Sequence, residues 1–228
     1  MKADQERRRV TVICGHYGAG KTNIAVNLAI GEKTRSGRPV YLADLDVVNP
    51  YFRAADAADL LREAGVVPLI PEFANSNVDI PSLPPMLPSV LEDGEDAVFL
   101  DVGGDDGAVV LGGFADRISA AGYSMICIMN MYRPLTATPD DAAKTVPAIE
   151  RLSRLSVTGI INNSSLGAET TADDILASVG YAERTAEIVG VPLIGHSYIP
   201  GIAGDLSSDP RFSGLTLIPL RQATRALF

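Results

Sequence analysis

The sequence predicts an α/β fold built on a mostly parallel central sheet with helices on both faces. Three observations predict it. Short β-branched, apolar runs alternate with helix-like segments, the pattern of parallel strands joined by crossover helices. Those runs are apolar almost throughout rather than at every second residue, as in strands covered on both faces. Between the first run and the first helical segment stands Gly15-His16-Tyr17-Gly18-Ala19-Gly20-Lys21-Thr22, a glycine-rich turn of the form GxxxxGK(S/T).

Strands are expected at residues 9–14, 39–44, 97–101, 124–130, 157–162 and 192–198, with a last one at 215–220. Residues 21–33 carry Ile24, Ala25, Leu28 and Ala29 on one face, the i, i+4 stripe of a packed helix. Residues 137–155 and 171–189 read the same way. Thr170 and Thr171 stand before Asp173 and Asp174, as at a helix N-terminus. The proline-rich stretch 68–88 cannot be one regular helix and is expected to be an ordered surface excursion facing a partner or a pocket. With 228 residues and no internal repeat, a single domain over 1–228 is the expectation.

Composition removes several function classes. Hydrophobic residues make up 46% and charged residues 21%, which is ordinary for a globular chain and excludes a wholly disordered one. A formal charge of −9 opposes the nucleic-acid backbone, so no nucleic-acid partner is expected. The run Arg7-Arg8-Arg9 precedes an apolar strand and reads as a solvated strand entrance. Cys14 and Cys127 each sit in an apolar run and read as small hydrophobes, and no CxxC pair or Cys/His cluster has metal-site spacing. The first ten residues lack the apolar core of a signal peptide, and no run approaches the ~18 to 20 apolar residues that span a bilayer. A cytoplasmic location without membrane association is the expectation. The C-terminus, with Leu220, Leu227, Phe228, Arg221 and Arg225, reads as a terminal helix packed on the domain.

The glycine-rich turn carries the chemistry. Glycines let successive backbone N–H groups turn inward around phosphate oxygens, and the following helix adds the positive end of its dipole. Gly15, His16, Tyr17, Gly18, Ala19 and Gly20 would form that cradle, with Asn23 in the first helical turn beyond it. Lys21 would reach the β- and γ-phosphates, and Thr22 would offer its hydroxyl to Mg2+. Asp44 and Asp46 leave the second strand, and Asp101 ends the third just before Gly103 and Gly104. These carboxylates fall beyond the carboxyl ends of parallel strands, where such sheets place their sites. Asp101 and one or both of Asp44 and Asp46 can therefore reach the metal or its water beside Thr22. Gly104 can approach a γ-phosphate through its N–H. Asp105 and Asp106 follow, as loop caps or as groups that position water.

These residues resemble the MinD/ParA/CooC-like branch of P-loop NTPases, of the SIMIBI class, which also includes the nitrogenase iron protein and CobQ/CobB-type relatives. The resemblance runs from about Val10 to Pro200 and takes in, in the family's order, the P-loop, the Asp44-Leu45-Asp46 segment, Asp101-Val102-Gly103-Gly104, the strand end Asn162-Asn163 and the later Tyr198-Ile199-Pro200. It implies a P-loop NTPase fold, ATP or ADP with Mg2+ as ligands, and a homodimer or client protein as partner. Asp46 resembles the switch I carboxylate, and Asp101 to Gly104 resemble Walker B with switch II, so the resemblance implies Thr22, Asp46 and Asp101 as the metal candidates and Lys21, Asp46 and Asp101 as the catalytic ones. Asn163 resembles the base-contacting asparagine, with Asn162 as the adjacent candidate, and Ile199-Pro200 resembles the wall beside the adenine. No Asn-Lys-x-Asp sequence is present to read guanine, which favours ATP over GTP.

The chain departs from the family at His16, which stands where dimeric hydrolysing members carry a lysine that reaches the partner's nucleotide. Imidazole is shorter and, with an unperturbed pKa of about 6.5, is no reliable cation at neutral pH. Paired metal-holding cysteines are missing too, and His196 reads as a satisfied polar residue rather than a ligand. The expectation is a slow Mg-dependent ATPase whose switch I (residues 44–53) and switch II (101–114) control assembly or maturation of a partner. The alternatives are a non-hydrolysing ATP sensor and an ATP-dependent enzyme that activates a small-molecule carboxylate.

Overall fold

The computed structural model describes residues 8–45, 54–69, 84–92 and 94–223. In chain order these form β1 (Val10–Cys14), α1 (Lys21–Ser36), β2 (Val40–Asp44), α2 (Ala54–Glu63), β3 (Val67–Leu69), α3 (Leu87–Glu92), β4 (Ala97–Asp101), α4 (Gly104–Gly112), α5 (Ala115–Ala121), β5 (Tyr123–Met129), α6 (Pro139–Ser153), β6 (Gly159–Asn162), α7 (Ala172–Ala177), α8 (Val179–Val189), β7 (Leu193–Tyr198), α9 (Pro200–Ala203) and β8 (Leu217–Pro219).

Eight strands make one sheet in the order β3-β2-β4-β1-β5-β6-β7-β8, and each neighbouring pair is parallel. The sheet is thus wholly parallel among the described residues. The chain winds outward from β1 through β2 to β3, then returns to insert β4 between β2 and β1 before passing to β5 on the far side. That reversal leaves a crevice at the carboxyl end of β1, where doubly wound sheets hold their ligands.

Alternate residues of each strand feed two separate cores, which accounts for the unbroken apolar runs. On one face Ile13, Val40, Leu42, Phe99 and Ile128 meet Ile24, Ala25 and Ala29 of α1 and Leu61 of α2. On the other, Val12, Val98, Leu100, Met125 and Cys127 meet Leu111, Ile118, Val146, Ile149 and Ala182 of the helices from α4 to α8. Thr138 caps α6 by accepting from the Asp141 amide, and Thr171 forms a capping box with Asp174 at the start of α7.

The structure corrects four expectations. Residues 171–189 form two helices, not one. The break is at Ser178, whose hydroxyl donates to the Ile175 carbonyl while accepting from the buried Asn162 amide. Second, β3 is a three-residue strand that overlaps the start of the stretch expected to be an excursion. It tolerates Pro68 because it is the edge strand of the sheet. Third, Arg9 is buried, not solvated: its guanidinium donates to the Val90 and Leu91 carbonyls, which lie in the last turn of α3, where cations complement unpaired carbonyls. Fourth, Leu220–Ala223, the described part of the expected terminal helix, is not helical. It is held to α1, where Asn27 makes both hydrogen bonds of a backbone pair with Arg221, donating to its carbonyl and accepting from its amide, each at 2.8 Å. Asn23 accepts from the Ala223 amide at 2.8 Å.

Residues 46–53, most of 68–88, and 224–228 lie outside the described residues, and with them Asp46, the remainder of switch I and the last apolar residues of the C-terminus. No helix among the described residues is long and apolar enough to cross a membrane.

Candidate functional site

The site is built where β1 ends. Cys14 is followed at once by the glycine-rich loop, and Gly20 caps α1 in the left-handed region with φ of 85°. Gly15 is the residue the sheet demands: its φ is 135°, and a Cβ there would overlap the carbonyl oxygen of Ile128 in the neighbouring strand β5. The loop can therefore leave β1 only by pressing its backbone onto β5. Within the loop the Ala19 amide donates to the His16 carbonyl at 3.2 Å, and Lys21 Nζ donates to the same carbonyl at 3.2 Å. Lys21 and Thr22 are buried, and Tyr17 stands at the loop's tip with 57% of its surface exposed.

Two carboxylates flank this loop on adjacent strand ends. Asp101 ends β4 and is in register with Ile13 of β1 on one side and Asp44 of β2 on the other. Both acids are buried. The backbone links the two segments that follow them, since the Leu45 amide donates to the Asp101 carbonyl at 2.8 Å, and the Val102 amide donates to the Ile13 carbonyl at 2.9 Å. Gly104 then opens α4 with φ of 50°.

On the far side of the loop a cavity of about 300 Å3 opens, lined by Gly18, Gly20 and Asn23 from the loop and α1, Asn130 and Arg133 after β5, Asn163 to Ala168 and Thr170 after β6, and Ser197 to Ile199 at the end of β7. Asn163 holds this wall to the loop: its amide donates to the Ala19 carbonyl at 2.7 Å, and its side-chain oxygen accepts from the Ser197 hydroxyl at 2.7 Å. Ile199 lines the cavity, while Pro200 opens α9 on its exposed side.

Asn162 is placed differently from the expectation that paired it with Asn163. It is 1% exposed and faces the interior. Its amide donates to Ser178 Oγ at 2.7 Å and to His196 Nδ1 at 2.9 Å, and its oxygen accepts from the Ser164 hydroxyl at 2.7 Å. Successive strand residues point to opposite faces, so only one of the two asparagines can reach the cavity. Because His196 Nδ1 accepts, the imidazole is the neutral Nε2–H tautomer, and burial lowers its pKa against the opposing charge of Glu183. His196 is thus a satisfied core residue.

The cysteines, read separately in the sequence, are register partners on β1 and β5. The Cys14 thiol is pushed above its ordinary pKa by its hydrogen bond with Cys127 and then by burial, so it is not poised as a nucleophile.

The donor set fits a nucleotide with Mg2+. The cradle is a run of backbone that turns through left-handed glycines, as phosphate-binding nests do. No group of three or more His, Cys, Asp and Glu side chains that could hold a metal occurs among the described residues. Thr22 with the acids at the ends of β2 and β4 suits an ion that takes most of its shell from phosphate oxygens and water. Sequence reasoning missed Asn130, Arg133 and Ser197. Asn130 had a signal, a polar residue closing an apolar strand, whereas Arg133 had none.

Neither a protein-family model nor a curated protein sequence matches this chain. Solved structures do match. Chloroplast FtsY from Physcomitrella patens superposes with a TM-score of 0.56 at 18% identity, over 83% of this chain and 58% of that one. The fold is that of a P-loop NTPase. The signal recognition particle 54 kDa protein from Aeropyrum pernix, in complex with GDP, gives a TM-score of 0.53 at 18% identity over 83% of this chain and 41% of its own. The signal recognition particle receptor FtsY from Elizabethkingia anophelis gives 0.50 at 17% identity over 84% and 59%. This chain therefore spans less than two thirds of the length of each of these three structures.

Proposed function

We propose that this chain binds Mg-ATP in the loop Gly15–Thr22 and acts as a slow ATPase and nucleotide-controlled switch for a partner, in the MinD/ParA-like branch of the SIMIBI class. The observation that carries the reading is the join between the glycine loop and the cavity: a phosphate cradle opens directly onto a pocket of about 300 Å3, the small end of the range for ligand pockets. The described residues lining that pocket include no carboxylate. Guanine presents two adjacent donors on its reading edge, best met by a carboxylate, whereas adenine is met by backbone and amide groups. That supports adenine.

In this reading Lys21 places its charge on the β- and γ-phosphate oxygens and gives up its hydrogen bond to the His16 carbonyl. Thr22 would offer its hydroxyl oxygen to Mg2+, which when bound would neutralise phosphate charge. Asp101, together with Asp44 or Asp46, would hold water beside the ion. The Leu45–Asp101 backbone hydrogen bond couples switch I to switch II, so what one segment senses the other feels. The exposed Tyr17, with Val109 on α4, offers apolar surface to a second copy or client. His16 in the lysine's place supports slow turnover, and a sensor without turnover is the limit of that trend. A second reading, a guanine nucleotide, is favoured by the GDP bound in the Aeropyrum protein of similar fold.

The test is calorimetric titration with ATP, ADP, GTP and GDP in Mg2+, with phosphate release followed in the same samples and Lys21→Ala alongside. ATP and ADP should bind, phosphate should be released slowly, and Lys21→Ala should lose both. Tighter binding of GDP than ADP would overturn the adenine assignment. A folded protein that binds none of the four would overturn the function.

A further inference from the structure

Arg133 takes no part in the machinery described so far, yet its side chain is tied to the glycine loop. It follows β5, and its Nε donates to the Gly18 carbonyl at 3.0 Å. The guanidinium lies against the loop: a Cβ on Gly18 would stand 3.2 Å from Nε and 3.4 Å from Cζ. It lines the same cavity as Asn163 and Ile199, and it forms an ion pair with no carboxylate among the described residues.

The turn that presents it is held from several sides. Asn130 accepts from the Tyr132 amide at 2.9 Å and donates to the Ser165 carbonyl at 3.2 Å, while its own carbonyl accepts from the Thr136 hydroxyl at 2.7 Å. Tyr132 donates its hydroxyl to the Asp174 carbonyl at 2.9 Å, and Tyr181 donates to the Thr136 carbonyl at 2.7 Å. A surface arginine ordinarily loses much rotamer entropy on being ordered. Here that cost is met in the folded state, before any ligand arrives.

We propose that Arg133 is a binding residue for the base end of the nucleotide, its guanidinium plane covering one face of the base and ribose while Nε stays on Gly18. This rests on the nucleotide reading above and adds a residue to it. A planar cation stacked on a ring reads the ring's face rather than its edge, so Arg133 supplies affinity and leaves base choice to the wall after β6. It acts within one chain, unlike a lysine that reaches across a dimer.

The test uses the full chain and ADP, or GDP if that is the nucleotide bound, with dissociation constants measured for wild type, Arg133→Ala and Arg133→Lys at about 50 mM and about 500 mM salt. Lysine keeps the charge and a donor for Gly18 but has no flat face. Both variants should bind on the order of 10-fold more weakly, as loss of a partly desolvated cation–π contact implies, and the ratio to wild type should be the same at both salt concentrations. Arg133→Gln replaces Arg133→Ala if the latter does not fold. Wild-type affinity in Arg133→Ala, recovery in Arg133→Lys, or a ratio that collapses toward one in high salt would each overturn this role and leave the nucleotide site standing. Failure of the wild type to bind either nucleotide would overturn the site itself, and this role with it.

Discussion

Asn163 and Ala19 are joined by a 2.7 Å hydrogen bond from the asparagine amide to the loop carbonyl, across 144 positions of sequence. The same side chain accepts from Ser197, so the ends of β6 and β7 hold the glycine loop through one residue. Asn163→Ala would leave the Ala19 carbonyl and the Ser197 hydroxyl without these partners. A loss of about 1–3 kcal/mol in denaturant unfolding is expected, together with weaker nucleotide binding. Unchanged values of both would show that the tie carries no energy.

Gly20 has φ of 85°, and a Cβ there would overlap the Asn163 amide. Gly20→Ala therefore adds left-handed strain of about 1–2 kcal/mol to a clash that breaks the Asn163–Ala19 hydrogen bond. Combined with Asn163→Ala it should cost less than the sum of the two single changes, because both remove the same contact. Full additivity in a double-mutant cycle would count against this account.

The C-terminal stretch depends on Asn27, whose amide replaces a strand partner for Arg221. Asn27→Leu should cost about 1–2 kcal/mol and speed hydrogen exchange of the Arg221 and Ala223 amides, while core amides such as Val12 change only with global stability. If the Arg221 amide exchanges at its wild-type rate, the pair is not what orders that stretch.

Burial lowers the pKa of His196 below its ordinary value. The unfolded chain then binds the proton more readily than the folded one, so this residue's contribution to stability is complete above pH ~6.5 and is lost as pH falls from there through the depressed folded value. Protonation would also set an N–H against the Asn162 amide, which is already a donor. Stability measured from pH 8 down to pH 5 should decline over that window, and His196→Gln, which keeps an acceptor but cannot titrate, should flatten the decline. An unaltered pH profile in the variant would assign the effect to other groups.

Much of the fold is legible in the sequence. β1, β2, β4, β5, β6 and β7 fall within a residue or two of the apolar runs that mark them, because a strand covered on both faces has to be apolar throughout. β3 was not legible, since three residues around a proline have no periodicity and form a strand only because β2 offers a free edge. The break at Ser178 was hidden for a related reason: a serine inside a helical pattern signals little until a buried Asn162 arrives to use its hydroxyl. Arg9 looked solvated because charge runs usually are, and it is buried because α3, from a distant part of the chain, turns its last carbonyls toward it.

For the site, the sequence by itself determined the glycine loop, Lys21, Thr22 and the acids at strand ends. Those are local features, in which spacing along the chain dictates spacing in space. The tertiary structure decided which of Asn162 and Asn163 faces the cavity, brought Cys14 beside Cys127, and set Arg133 on Gly18. Each of these depends on strand order and register, through which residues more than a hundred positions apart become neighbours, and no local pattern of side chains encodes that pairing.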